Sequence, residues 1–209
     1  MKFVEKGEEP DELVSWKADG DVDWVPTYAG LAGEPKQALH AALLAEQGWL
    51  CCYCESQIDD SDSHIEHLRP QSDPLVDALD FSNLLCSCQR VTRKGDPLHC
   101  GNAKGNWYDA ALFVVPIDPT CEARFDYTGN GRILPAQQGD AAAEETIKKL
   151  ALDIPNLRAR RTEVLTPFLD DLTDDELRLF VTGYLVKGQD GRFNPFWATI
   201  KNMFGDILN

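Results

Sequence analysis

Apolar residues recur at helical spacing over Glu34–Gly48, where Leu39, Leu43 and Leu44 share a stripe that leads into Trp49. Pro35 sits near the first helical position and Gly48 stands where a terminator belongs, so the pattern predicts one helix. Upstream, residues 1–33 are rich in acids, Pro and Gly, with Trp16, Trp24 and Tyr28 scattered among them. They read as an extended arm whose aromatics dock on the body. Residues 49–108 show only short strand-like pieces. Over Arg124–Leu134 an alternation broken by Gly-Asn-Gly predicts a small β-hairpin. Helical patterns then take over. Asp140–Leu152 is one, and Asn156–Leu172 is another that Pro167 kinks or ends. Thr173-Asp-Asp-Glu176 is a capping box opening a helix to about Lys187, and Asn194-Pro195 caps a last one ending near Gly205. The expected class is α+β, mostly helical. Three regions follow: an arm at 1–33, suited to docking a partner, a motif-dense core at 34–110, and a hairpin with a helical layer at 111–209.

Composition narrows the class of protein. With 209 residues, 43% hydrophobic and 26% charged, the chain can bury a core of its own. No apolar run is long enough to span a bilayer, and the first ten residues lack the apolar centre of a signal peptide. The expected location is therefore the cytoplasm, with no membrane partner. There, seven cysteines point to metal ligands or free thiols rather than disulfides. The net charge of −15 argues against a protein that grips nucleic acid by itself. Between Cys88 and Tyr108, however, Arg90, Arg93, Lys94 and Lys104 face only Asp96. That local surplus makes Arg90, Arg93 and Lys94 candidate substrate contacts, and the acidic remainder implies that another protein delivers the substrate.

Cys51 and Cys54 have the spacing that lets two thiolates meet one tetrahedral ion. Cys86, Cys88 and Cys100 follow within 50 residues. The preferred structural-zinc quartet is Cys51, Cys54, Cys88 and Cys100. Two alternatives stay open, because Cys86 shares a strand face with Cys88 and His99 adjoins Cys100. Cys52 should face away from the ion, and Cys121 should be a buried free thiol.

Between the cysteine pairs lies His64-Ile-Glu-His67. Strand alternation puts His64 and Glu66 on one face and His67 on the other. Hydrolysis of a phosphodiester needs a base for water and a cation for the developing charge. A neutral imidazole suits the first role near pH 7. A carboxylate and an amide oxygen suit a hard ion such as Mg²⁺ or Mn²⁺. His67 is accordingly the candidate general base and Glu66 a metal ligand, with Asn102 the expected second ligand. Asn83 would hold the loop and imidazole of the base by hydrogen bonds. Lys104 would reach the scissile phosphate. His64 and His99 are supporting residues, with a zinc-ligand role as the alternative for His64, and His40 is expected to be a surface or packing residue.

In this order, Cys51-Cys-Tyr-Cys54, His64-Ile-Glu-His-Leu-Arg-Pro70, Asn83-Leu-Leu-Cys-Ser-Cys88 and His99-Cys-Gly-Asn-Ala-Lys-Gly105 resemble a zinc-braced HNH nuclease. With Pro10–Lys17 and Leu43–Cys51, the chain resembles the PtuB-like HNH subunits of Septu and retron anti-phage systems. The resemblance implies a ββα-metal (His-Me finger) core and a DNA-cutting activity that uses a catalytic Mg²⁺ or Mn²⁺ beside the structural Zn²⁺. It also implies a PtuA-like ABC/SMC-type ATPase partner and, in retron versions, a reverse transcriptase with its msDNA. The absence of a Gly-x-x-x-x-Gly-Lys-Ser/Thr loop fits ATP being handled elsewhere. One departure concerns spacing: eleven residues separate Cys88 from Cys100, where generic HNH proteins have two. The alternatives are an inactive zinc-braced adaptor and a stand-alone McrA-like restriction nuclease, the latter disfavoured by the charge.

Overall fold

Gln47 shows how the centre of the molecule is assembled. In the computed structural model, which describes residues 1–208, its side chain donates to the carbonyls of Leu50 and Cys86 at 2.7 and 2.9 Å and accepts from the Cys86 amide at 2.6 Å. One buried amide thus ties three pieces together: the end of helix α2 (Gly33–Glu46, after α1 at Asp11–Ala18), the first cysteine turn, and strand β2 (Leu84–Cys88). Strand β1 (Ser63–His67) pairs antiparallel with β2, Ser63 opposite Cys88 and His67 opposite Leu84. The short helix α3 (Cys100–Lys104) packs on β2, and α2 also packs on it. In chain order this is strand, strand, helix.

The predicted α2 stripe is correct, since Leu39, Leu43 and Leu44 are all buried. The arm is not extended throughout, although its Trp16 and Tyr28 pack on the body as expected. Residues 1–33 contain α1, and Met1, Val4, Leu13 and Leu31 enter the same core as the cysteine turn. Val4 N–H bonds the Pro116 carbonyl at 2.9 Å, and Lys6 pairs with Glu46 and donates to the Leu84 carbonyl at 2.9 Å. Helix α1 buries a single leucine in eight residues, so it has no apolar stripe to read.

Beyond the core, β3 (Phe125–Tyr127) and β4 (Ile133–Pro135) form the predicted hairpin. Helices α4 (Ala141–Lys149), α5 (Pro155–Leu165), α6 (Asp174–Leu185) and α7 (Trp197–Phe204) follow. Asp140 caps α4, the Thr173–Glu176 capping box opens α6, and α5 ends just before Pro167, as its ring demands. Helix α7 does not start on an Asn194-Pro195 cap. The Asn194 amide donates instead to the Tyr184 carbonyl at 2.8 Å, and Phe196, at φ 54°, precedes the helix. Among the described residues, no helix is long and apolar enough to cross a membrane.

Candidate metal and catalytic site

The four sulfurs of Cys51, Cys54, Cys88 and Cys100 all lie within 4.8 Å of one another and are buried. A tetrahedral zinc with bonds of about 2.3 Å places its sulfurs about 3.8 Å apart, and Cys54 and Cys88 are 3.8 Å apart. The donor set therefore fits a structural zinc. The open choice between Cys86 and Cys88 falls to Cys88, because the Cys86 thiol points to the His40 carbonyl at 3.9 Å. Cys100 is in the quartet, while His99 Nδ1 lies beside it, 3.1 Å from Cys100 Sγ and 3.7 Å from Cys88 Sγ. Cys121 is buried apart from the cluster, as expected.

Backbone strain marks the same place. Glu55 follows Cys54 at φ 63°, Gln89 follows Cys88 at φ 63°, and Cys100 itself has φ 56°. Each costs a non-glycine residue about 1–3 kcal/mol unless its surroundings impose it. Burial pushes the thiols up. Against it, hydrogen bonds from neighbouring sulfurs pull Cys51 well below its ordinary value and bring Cys54 down to about 6. A dication would stabilise all four thiolates.

The two faces of β1 separate as alternation predicts. His64 Nε2 and Glu66 Oε2 lie 3.6 Å apart on the α3 side. Glu66 Oε1 accepts from the Tyr53 hydroxyl at 3.1 Å and pairs with Lys104 Nζ at 2.8 Å. Burial raises the Glu66 carboxyl, but the nearby His64 imidazole and the Lys104 ammonium outweigh it and hold the group below its usual range. His67 faces the other way, with its ring edge-on to Tyr28 at 4.5 Å. Its Nε2 lies 3.0 Å from the Ala78 carbonyl and its Nδ1 3.3 Å from the Gln71 side-chain amide. That pattern assigns the proton to Nε2 and the lone pair to Nδ1. Burial keeps His67 below its ordinary value, hence neutral near pH 7.

Asn83 clamps the chain just beyond His67. Its Oδ1 accepts from the Arg69 amide at 2.8 Å, and its Nδ2 donates to the Arg69 carbonyl at 2.9 Å. The Leu68 amide bonds the Asn83 carbonyl at 3.0 Å. Asn83→Ala is expected to lower stability by about 1–3 kcal/mol, since it leaves a backbone pair without partners. Urea unfolding reads this directly, and an unchanged midpoint would remove the clamp from the account.

Other expected site residues lie elsewhere. The Asn102 amide donates to the Gln89 carbonyl at 2.7 Å, tying α3 to the end of β2. Lys104 is only 4% exposed; besides Glu66 it donates to the His67 carbonyl at 2.8 Å, so it braces both β1 residues from within. Arg93 and Lys94 lie exposed beyond β2. Arg90 joins Tyr28, Lys36, His40 and His64 in lining an open cleft of about 890 Å³ along α2 and β1. His40, expected to be ordinary, bonds Ser63 Oγ at 2.9 Å on that wall. Sequence reasoning missed Tyr53, Gln71 and Gly101. Only their position beside the motifs hinted at a role.

No family model matches the chain. Two relatives do. One is the provisionally named Retron Vc95 HNH endonuclease of Vibrio cholerae serotype O1 biovar El Tor, 29% identical over 133 residues, covering 60% of this chain and 62% of that protein. The other is the provisionally named Retron Ec83 HNH endonuclease of Escherichia coli, 25% identical over 217 aligned positions, covering 85% of this chain and 84% of that protein. The first match thus spans less than two thirds of its relative. Both names point to retron-associated HNH nucleases, and these are the proteins to which this chain is distantly similar.

Proposed function

We propose that the chain is a metal-dependent HNH endonuclease of a retron-type or Septu-like anti-phage system, cutting or nicking DNA under the control of an ATPase subunit. The observation that carries this reading is the arrangement around β1. A neutral, buried His67 with its lone pair on Nδ1 directly follows the Glu66 carboxylate on β1, and Asn83 fastens the chain just beyond His67 to the start of β2. The strand-strand-helix order with a zinc-capable quartet at its base supports a ββα-metal core.

In this reading His67 Nδ1 takes a proton from the attacking water once the Gln71 amide swings aside. The Ala78 carbonyl holds Nε2–H and stabilises the imidazolium that forms. Lys104 fixes the Glu66 carboxylate through one oxygen and the His67 backbone through its carbonyl, which leaves Glu66 Oε2 free for a divalent cation. Such a cation would supply charge stabilisation at the phosphate and the leaving oxygen. The strand would enter along the cleft, its phosphates met by Lys36 and Arg90. With a net charge of −15, tight capture of DNA falls to a partner. That partner is a PtuA-like ABC/SMC-type ATPase, with a reverse transcriptase and msDNA in a retron setting.

The test is cleavage of plasmid and single-stranded DNA by the chain with its neighbouring gene products, with and without ATP, in Mg²⁺, Mn²⁺ or chelator. Cutting that needs both the metal and the ATPase is expected. Strong cutting by the chain alone would overturn partner control, and cutting in excess chelator would overturn metal dependence.

A further inference from the structure

Gly101 occupies an ordinary right-handed position in the first turn of α3; it is not among the glycines with positive φ. Its backbone would accept any residue, so what matters there is the missing side chain. A Cβ would stand 2.5 Å from Glu66 Oε2 and 2.9 Å from His64 Nε2. Both atoms therefore converge on the volume a side chain would fill. The Gly101 amide is meanwhile anchored on Ser87 Oγ at 3.1 Å, which keeps α3 against β2 and fixes the width of the gap.

We infer that His64 Nε2 and Glu66 Oε2 are the two protein ligands of the catalytic cation, and that the bare Gly101 lets α3 lie close without a side chain that would push the two donors apart. This rests on the nuclease reading and changes its ligand set, with His64 replacing Asn102. Donors about 2.1 Å from a shared cation sit about 3 Å apart at a right angle. The observed 3.6 Å closes to that by a small turn of the half-buried imidazole. The Asn102 side chain is bonded through its amide nitrogen to the Gln89 carbonyl. Two protein donors leave the remaining positions of such a cation to water and substrate phosphate.

The donor set fixes the kind of cation. One carboxylate and one imidazole favour a borderline ion such as Mn²⁺, and Ni²⁺ more strongly, over Mg²⁺, which prefers oxygen alone. The carboxylate is already half-committed to Lys104, so affinity without a substrate phosphate is modest.

The experiment is titration of the zinc-loaded, full-length chain with Mn²⁺, read by loss of the free-ion electron paramagnetic resonance signal, and with Ni²⁺ and Mg²⁺ by calorimetry. Glu66→Gln defines which binding belongs to this site. His64→Ala and Gly101→Ala are each expected to weaken that binding at least about tenfold. Asn102→Ala should stay within about twofold, and the native preference should run Ni²⁺ over Mn²⁺ over Mg²⁺. Zinc content and thermal unfolding of each variant identify any that fails to fold; His64→Ala carries the test if Gly101→Ala does. Native-like affinity in folded His64→Ala, a loss in Asn102→Ala alone, or no Mn²⁺ binding by the native chain at millimolar concentration would each overturn the assignment. Cleavage by His67→Ala, measured on the same preparations, reports separately on the nuclease reading. A ligand set that fails while His67 remains essential leaves that reading standing.

Discussion

His67→Ala is expected to lower the rate of strand cleavage by about 10²- to 10⁴-fold, the usual contribution of a positioned general base. Folding and both metals should survive the change. His67 is not in the cysteine quartet, and its ring touches Tyr28, the Ala78 carbonyl and the Gln71 amide rather than Glu66 or α3. The measurement is single-turnover cleavage with the proposed ATPase partner present, alongside zinc content and Mn²⁺ binding. Native-like cleavage by a folded variant would remove His67 from the chemistry.

The pH profile gives an independent check on the same residue. Burial keeps the His67 imidazole below the ordinary 6.5. A base works only when unprotonated, so its contribution is complete above that lowered value and is lost as pH falls through it. The native rate should be flat near neutrality and fall on the acid side with a midpoint below 6.5. A midpoint well above 6.5 would mean that another group is being titrated.

Much of this site was legible in the chain because its chemistry is local. Cys51 and Cys54 lie on one turn, and Glu66 and His67 are sequential on one strand, so spacing alone assigned their faces. The quartet could be preferred without the fold because few cysteines competed for it, but the choices between Cys86 and Cys88 and between His99 and Cys100 waited for the geometry. What was not legible depended on contacts between elements. Asn102 and Lys104 sit on α3, and which way each points depends on how that helix lies on β2. Lys104 turned inward to Glu66 and the His67 carbonyl, and Asn102 turned to Gln89. Gly101 carried no signal beyond its place in the motif, since a glycine in a helix reads as a weakness until the atoms opposite it are known. Helix α1 was missed for a related reason. Its one buried leucine makes sense only against α2 and the core it joins.

Removing the quartet's metal should have the largest effect on the molecule as a whole. Cys51 and Cys54 sit on a turn whose next residue, Glu55, is locked into the far side of the protein. Its carbonyl accepts from the Phe196 amide at 2.9 Å, and its buried Oε2 accepts from the Ala198 amide at 2.6 Å. The cysteine turn thus anchors the start of α7 as well as β2 and α3. Structural zinc contributes about 10–16 kcal/mol to small zinc modules, which rivals the whole stability of a typical domain, about 5–15 kcal/mol. The strained backbone at Glu55, Gln89 and Cys100 would relax once the sulfurs were released. Cys54→Ser is therefore expected to cost more than about 4 kcal/mol and to lower the melting temperature by about 10–15 °C, at 2–4 °C per kcal/mol for a chain of this size. Cys86→Ser should be much milder, because the Cys86 thiol lies outside the quartet and its one hydrogen bond goes to the His40 carbonyl. Calorimetry of both variants, with zinc counted by mass spectrometry under native conditions, separates the two sulfurs. Equal losses in both would mean that the cysteines act as core and not as a metal site. A large loss confined to Cys54→Ser, with the zinc gone, identifies the ion as the element on which β1, α3 and α7 all depend.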